Sequence, residues 1–146
     1  MRLGKYDLLI ELAAGGMATV HVARQRGAAG FERLVVVKRV HPHLVRDHEF
    51  STMFRDEARL SSLVRHANVV SASDVVEADG ELFLVLDYVE SVSLAALSRA
   101  ARSRGQKIPP AVVSAILCDA LSGLHAAHEA VDAEGRPLAL IHRDGR

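Results

Sequence analysis

With 146 residues, 49% of them hydrophobic and 25% charged, the chain has the makeup of a soluble globular domain, or of part of a larger one. Eighteen basic residues balance eighteen acidic ones, which argues against a nucleic-acid or acidic-membrane partner. The single cysteine, Cys118, excludes an internal disulfide and suits a reducing cytoplasm; it falls on a predicted apolar helix face, where a buried structural thiol is expected. Asp7 and Glu11 interrupt the amino-terminal apolar stretch, so no signal peptide is read, and no run is long enough to span a membrane.

Residues 5–12 (KYDLLIEL) predict a strand and residues 19–23 (TVHVA) its return, joined by the tight turn Ala13-Ala14-Gly15-Gly16-Met17-Ala18. A linker rich in Gly and Ala (residues 27–30) leads into Leu34-Val35-Val36-Val37-Lys38-Arg39-Val40, whose β-branched residues favour a strand. The period of two puts Leu34, Val36, Lys38 and Val40 on one face and Val35, Val37 and Arg39 on the other. Lys38 is thereby set among apolar neighbours, and a buried ammonium requires an anion, either a downstream carboxylate or a phosphate.

A helix is predicted over residues 47–64, with Asp47 as N-cap and Phe50, Met53, Phe54, Leu60, Ser61 and Val64 facing inward. Glu57 falls on that same face. It needs a cation, and the residues alone leave open whether that is Lys38 or a local arginine, Arg55 or Arg59. Two strands follow, over residues 71–77 and 82–88, joined by Ala78-Asp79-Gly80-Glu81, in which Asp-Gly signals a hairpin. The sheet so far has five strands, with one helix inserted after the third.

A second helix is read over residues 94–103. The basic loop beyond it (Arg99, Arg102, Arg104, Lys107) reads as solvated, since no aromatic residues interleave. Pro109-Pro110 opens a long helix over residues 111–129, with an apolar stripe of Val113, Ile116, Leu117, Ala120, Leu121, Leu124 and His128. His125 and His128 are near enough on that helix to share a metal, but no carboxylate or cysteine completes a site and HExxH is absent, so no metal site is predicted. A short strand at residues 137–141 runs into His142-Arg143-Asp144-Gly145-Arg146.

A glycine-containing hairpin, a strand lysine, a helix glutamate, a hinge-like strand end and a terminal His-Arg-Asp occur in this order. That order resembles the protein-kinase fold, specifically the eukaryotic-like (Hanks-type) serine/threonine kinases of bacteria. The resemblance covers practically the whole chain, though only the front half or so of a kinase domain. It implies an α+β fold. A kinase small lobe, a five-stranded antiparallel sheet plus one helix, occupies residues 1–90; the hinge exit and the first helices of an incomplete large lobe occupy residues 91–146.

The resemblance also implies roles. Leu12, Ala13, Ala14, Gly15, Gly16, Met17, Ala18, Thr19 and Val20 become the loop that covers the phosphates, where backbone N–H groups approach the ligand closely. Two of the family's three glycine positions are alanine here, Ala13 and Ala18, while Gly15 keeps the central one. Lys38 becomes the lysine on the α- and β-phosphates, and Glu57 its ion-pair partner, which resolves the choice left open above. Val36 would line the adenine pocket with Leu12 and Val20. Leu86 becomes the gatekeeper, and the Asp87 carbonyl and Val89 N–H would bond the adenine edge. Asp144 would accept or orient the proton of the substrate hydroxyl.

The family's metal-binding asparagine, DFG, activation segment and APE do not occur in these 146 residues. ATP is expected as the nucleotide and Mg2+ as the family's metal, with its protein ligands missing here. Phosphoryl transfer depends on positioning and on magnesium, and losing one preorganised electrostatic group costs about 10²–10³ in turnover. Little or no kinase activity is therefore expected of this chain alone. The bare face of the long helix predicts aggregation, degradation or a partner. Three readings follow. They are a serine/threonine kinase whose other half is lost or supplied elsewhere, a pseudokinase-like nucleotide-binding or scaffold module, and a small-molecule phosphotransferase, which His-Arg-Asp disfavours. The expected partner is a protein substrate or regulator, in the cytoplasm.

Overall fold

A computed structural model describes residues 1–132 and 134–138, with the side chain of Glu57 outside the described set. Six strands form one antiparallel sheet: β1 (Arg2–Leu3), β2 (Tyr6–Ala14), β3 (Ala18–Arg26), β4 (Glu32–Val40), β5 (Ala72–Ala78) and β6 (Glu81–Asp87), in the order β1-β2-β3-β4-β6-β5. The five strands expected are present. The sixth, β1, is two residues long, too short to carry a pattern, and pairs through Leu3 with Tyr6. The helices are α1 (Pro42–Val45), α2 (His48–Leu63), α3 (Leu94–Ser103) and α4 (Pro110–His128).

Local chemistry accounts for the element ends. The Asp47 carboxylate accepts from the N–H groups of Glu49 and Phe50, satisfying two orphan donors at the start of α2. Ser93 does the same for α3 through the Ala96 N–H. Between β5 and β6, Asp79 and Gly80 both have positive φ (52° and 73°), the conformation a two-residue type I′ hairpin demands.

The alternation along β4 sorts its residues onto two unlike faces. Val35 and Val37 are fully buried in a cluster with Leu3, Tyr6, Ala23, Phe83 and Val85. On the opposite face the far end of β4 is covered, where Val40 packs with Phe54 and Leu82 beneath α2. Along that second face, burial falls from Val40 through half-buried Lys38 and Val36 to exposed Leu34. One end of the face is core and the other is open.

The inward stripe of α2 differs from the expected one. Ser51, Phe54 and Ala58 are its buried residues, whereas Met53 is exposed. A face drawn from apolar residues alone was too wide. Small residues at 51 and 58 let the helix lie close to the sheet, and close approach narrows the buried strip. The long helix brings a second correction. Cys118, expected to be buried, is exposed, as are Leu117 and Leu121, the latter 63% accessible. Gly123 is the one buried residue of α4, so most of its stripe faces no other described element.

Tyr6 closes the sheet. Its hydroxyl donates to Asp74 Oδ2 at 2.7 Å, and Lys5 Nζ lies 3.0 Å from the same oxygen. These bonds join β2 to β5 although three strands separate them in the sheet, so they hold the curl. Burial pushes the Asp74 carboxyl up, but the Tyr6 and Lys5 bonds together outweigh it and hold the group below its ordinary value. A depressed carboxylate contributes stability that is present above the unfolded value of about 3.9 and is lost as pH falls through the lower folded one. Tyr6→Phe is expected to cost about 0.5–1.5 kcal/mol in urea denaturation at neutral pH. That cost should shrink in acid, as Asp74 takes up its proton.

Candidate functional site

The strand register assembles a continuous row across the open face. Ala13 lies opposite Val20, Val20 opposite Lys38, Lys38 opposite Leu84 and Leu84 opposite Val75. A parallel row runs Ile10, Val22, Val36, Leu86 and Ala72. Directly opposed residues share a face with Cβ atoms about 4.5–5.5 Å apart. Lys38 is therefore the one charged member of these two rows, which five strands build. The fold brings together Ala13, Val20, Val36, Lys38 and Leu86 from the predicted site. It adds Val22 and Leu84, which local sequence could not reveal because register depends on pairing between distant strands.

Leu12 departs from that order. The β2–β3 register shifts between Glu11 and Ala13, and Leu12, at the irregularity, is exposed. Such bulges re-aim side chains.

Beyond Ala14 the chain turns through Gly15, Gly16 and Met17, and the Gly15 N–H donates to Ala18 O at 2.9 Å. A Cβ added at Gly16 would meet nothing within 4 Å, and at Gly15 only Ala18 O at 3.7 Å; neither glycine has a φ in the left-handed range. The fold itself thus does not require glycine at either position, and the space over the turn is open to a ligand. His41, which no sequence motif singles out, touches this turn twice. Its N–H donates to Met17 O at 3.0 Å, and its Nε2 lies 2.8 Å from Gly15 O.

At the other edge, Leu86 is half-buried beside Val36, and Asp87 ends β6 opposite Val35, its carboxylate 3.4 Å from Arg33 Nη1. Val89 follows in the loop and is exposed. Glu57 lies in α2 three residues after buried Phe54, but its pairing with Lys38 rests on a side chain outside the described ones. Of the local alternatives, Arg55 is engaged by Glu77 of β5. That hydrogen bond holds the Glu77 carboxyl below its usual range. Asp144, with His142 and Arg143, lies outside the described residues, as does most of the strand expected at residues 137–141. Among the described residues no group of three His, Cys, Asp or Glu side chains could hold a metal ion.

The long helix is seated at one point. The Asn68 Nδ2 donates to Asp119 O at 2.9 Å, and a Cβ at Gly123 would stand 2.8 Å from Asn68 O. Helix propensity alone would make Gly123→Ala stabilising by about 1 kcal/mol. The clash with backbone costs about 1–3 kcal/mol. A net loss is expected in chemical denaturation, and a net gain would show that α4 is not seated there.

A family model described as "Protein kinase domain" matches residues 6–144. The chain belongs to the protein kinase family. Among this chain's relatives is the tyrosine-protein kinase MasK of Myxococcus xanthus, 41% identical over 141 residues that cover 97% of this chain and 22% of MasK. The serine/threonine-protein kinase PksC of Streptomyces coelicolor is 33% identical over 146 residues, 97% of this chain and 24% of PksC. The chain thus spans under a quarter of these two relatives. The crystal structure of the Mycobacterium tuberculosis PknI kinase domain has the same fold, with a TM-score of 0.67 at 23% identity, covering 88% of this chain and 51% of that one. The kinase family uses ATP and Mg2+. By length and hydropathy alone α4 is apolar enough to cross a membrane. It falls inside the stretch that the kinase-domain model matches, in keeping with the expectation of no membrane segment.

Proposed function

We propose that residues 1–146 form the nucleotide-binding half of a serine/threonine protein kinase, with its small lobe over residues 1–90 and the start of its large lobe over residues 91–146. The observation that carries this is the position of Lys38 as the charged member of an apolar row, on the open face of a sheet whose β2–β3 turn carries two glycines the fold does not need. In this reading Lys38 binds the α- and β-phosphates, and Glu57 of α2 orients it. The backbone from Ala13 through Ala14, Gly15, Gly16 and Met17 to Ala18 covers the phosphates. Leu12, Val20 and Val36 line the base pocket, Leu86 is the gatekeeper, and the Asp87 carbonyl and Val89 N–H bond the adenine edge. Asp144 serves the substrate hydroxyl.

Mg2+, when bound, neutralises phosphate oxygens. The asparagine and DFG aspartate that hold it in the family are not among these residues, and no described donor set replaces them. Transfer by the 146 residues in isolation is therefore not expected, and kinase activity belongs to a chain carrying those ligands. Serine/threonine rather than tyrosine specificity follows PksC, whereas MasK is named a tyrosine kinase. Phosphoamino-acid analysis of the product of a chain that includes the metal ligands decides between them. A second reading, a regulatory module that acts by association, is favoured by the exposed Leu117 and Leu121 on α4. Thermal melting with and without ATP, on wild type and Lys38→Ala, separates the two. An ATP shift lost in the variant supports the nucleotide site, and a cooperative melt that ATP leaves unmoved supports the module.

A further inference from the structure

We propose that His41 is a positioning residue for the phosphate-covering turn. Its ring and backbone hold the Gly15–Met17 tip so that the Gly16 N–H is presented to an incoming phosphate. This rests on the nucleotide-site reading above and deepens it.

The geometry is a two-point clamp. The Nε2 of His41 lies 2.8 Å from Gly15 O, and the His41 N–H donates to Met17 O at 3.0 Å. The two carbonyls bracket Gly16. A carbonyl oxygen only accepts, so Nε2 must carry a hydrogen, as it does both in one neutral tautomer and in the imidazolium. The bond therefore survives either charge state of the ring.

A trans peptide points its C=O and the next N–H in opposite directions, and no peptide bond here is cis. With Gly15 O held by His41, the Gly16 N–H is turned to the far side. Among the described residues that N–H donates to nothing. An unpartnered backbone N–H in a glycine turn is a ready donor to an anion.

His41 is itself well anchored. It precedes Pro42, which confines it to extended backbone, and its φ and ψ are −64° and 137°. The Leu44 N–H donates to its carbonyl at 2.9 Å, and its ring stacks on His43 with centroids 5.8 Å apart. Two adjacent glycines have the most backbone freedom to lose on binding. An anchor that restricts them beforehand removes part of that cost.

The experiment uses the full chain with two variants that keep the site filled. His41→Phe retains a ring but has no side-chain donor, and His41→Gln retains an N–H that reaches about as far as Nε2. Amide hydrogen exchange over residues 14–18 is followed without ligand, and affinities for ATP and for adenosine are measured by calorimetry. Exchange should quicken in His41→Phe and return towards wild type in His41→Gln. ATP should bind about 3- to 10-fold more weakly to His41→Phe, as one lost hydrogen bond allows, while adenosine binding is unchanged because it carries no phosphate. Unchanged exchange overturns the clamp, and equal weakening of ATP and adenosine overturns the positioning role. A wild-type chain that binds neither ligand sinks the nucleotide-site reading, and the exchange data then decide the clamp by themselves.

Discussion

Lys38→Ala is expected to cut the rise in melting temperature that saturating ATP gives the wild-type chain to half or less. A ligand that binds only the folded state stabilises it by about 2.7 kcal/mol at 100 times its dissociation constant. For a chain of this length that is a shift on the order of 5–10 °C. Lys38 is half-buried between Val20 and Leu84, so a phosphate held there is partly shielded from water. A hydrogen bond to a charged group contributes about 1.5–3 kcal/mol. Its loss weakens binding by one to two orders of magnitude, and at the same ATP concentration about 0.4–1.4 kcal/mol of stabilisation remains. Equal shifts in wild type and variant would remove Lys38 from the nucleotide site. Differential scanning fluorimetry over a range of ATP concentrations makes the comparison.

Phe83→Ala is expected to cost about 3–5 kcal/mol. Phe83 is fully buried at the centre of the closed face, between Arg39 of β4 and Val76 of β5 in register, and clusters with Tyr6, Val35, Val37 and Val85. A typical domain has only about 5–15 kcal/mol in all, so the variant should be largely unfolded at modest urea. Leu121→Ser is the matched control. Its side chain is exposed on α4, and the change should stay within about 0.5 kcal/mol. A Phe83→Ala cost below about 1 kcal/mol would mean that the β-sheet cluster is not the core of this chain. A large Leu121→Ser cost would mean that the helix face is covered in solution.

Much of the fold is legible in short stretches of the chain. Val35, Val37 and the lysine between Val36 and Val40 announce their two faces by alternation. Asp47 announces the start of α2, Asp79-Gly80 the β5–β6 turn, and Ser93 the start of α3. Each signal depends on residues within a few positions of one another, where backbone geometry and side-chain chemistry act directly. The family order of glycine turn, Lys38, Glu57 and His-Arg-Asp is legible for the same reason, since each landmark is a local motif.

What local sequence could not determine is what lies opposite what. Lys38 is flanked by Val20 and Leu84 because of strand register, and register joins segments far apart in the chain. Ser51 and Ala58 are buried and Met53 is exposed because packing against the rest of the fold, not apolarity, sets which strip of α2 is covered. Cys118 is exposed because no described element covers that side of α4. His41 reaches Gly15, and Asn68 meets Gly123, only once the intervening strands and helices are folded. The sequence by itself determined the five long strands, the three longer helices and the family. The tertiary structure alone decided which face is open, which glycines the fold does not need, and which histidine holds the turn, because those depend on contacts between residues that are neighbours only in space.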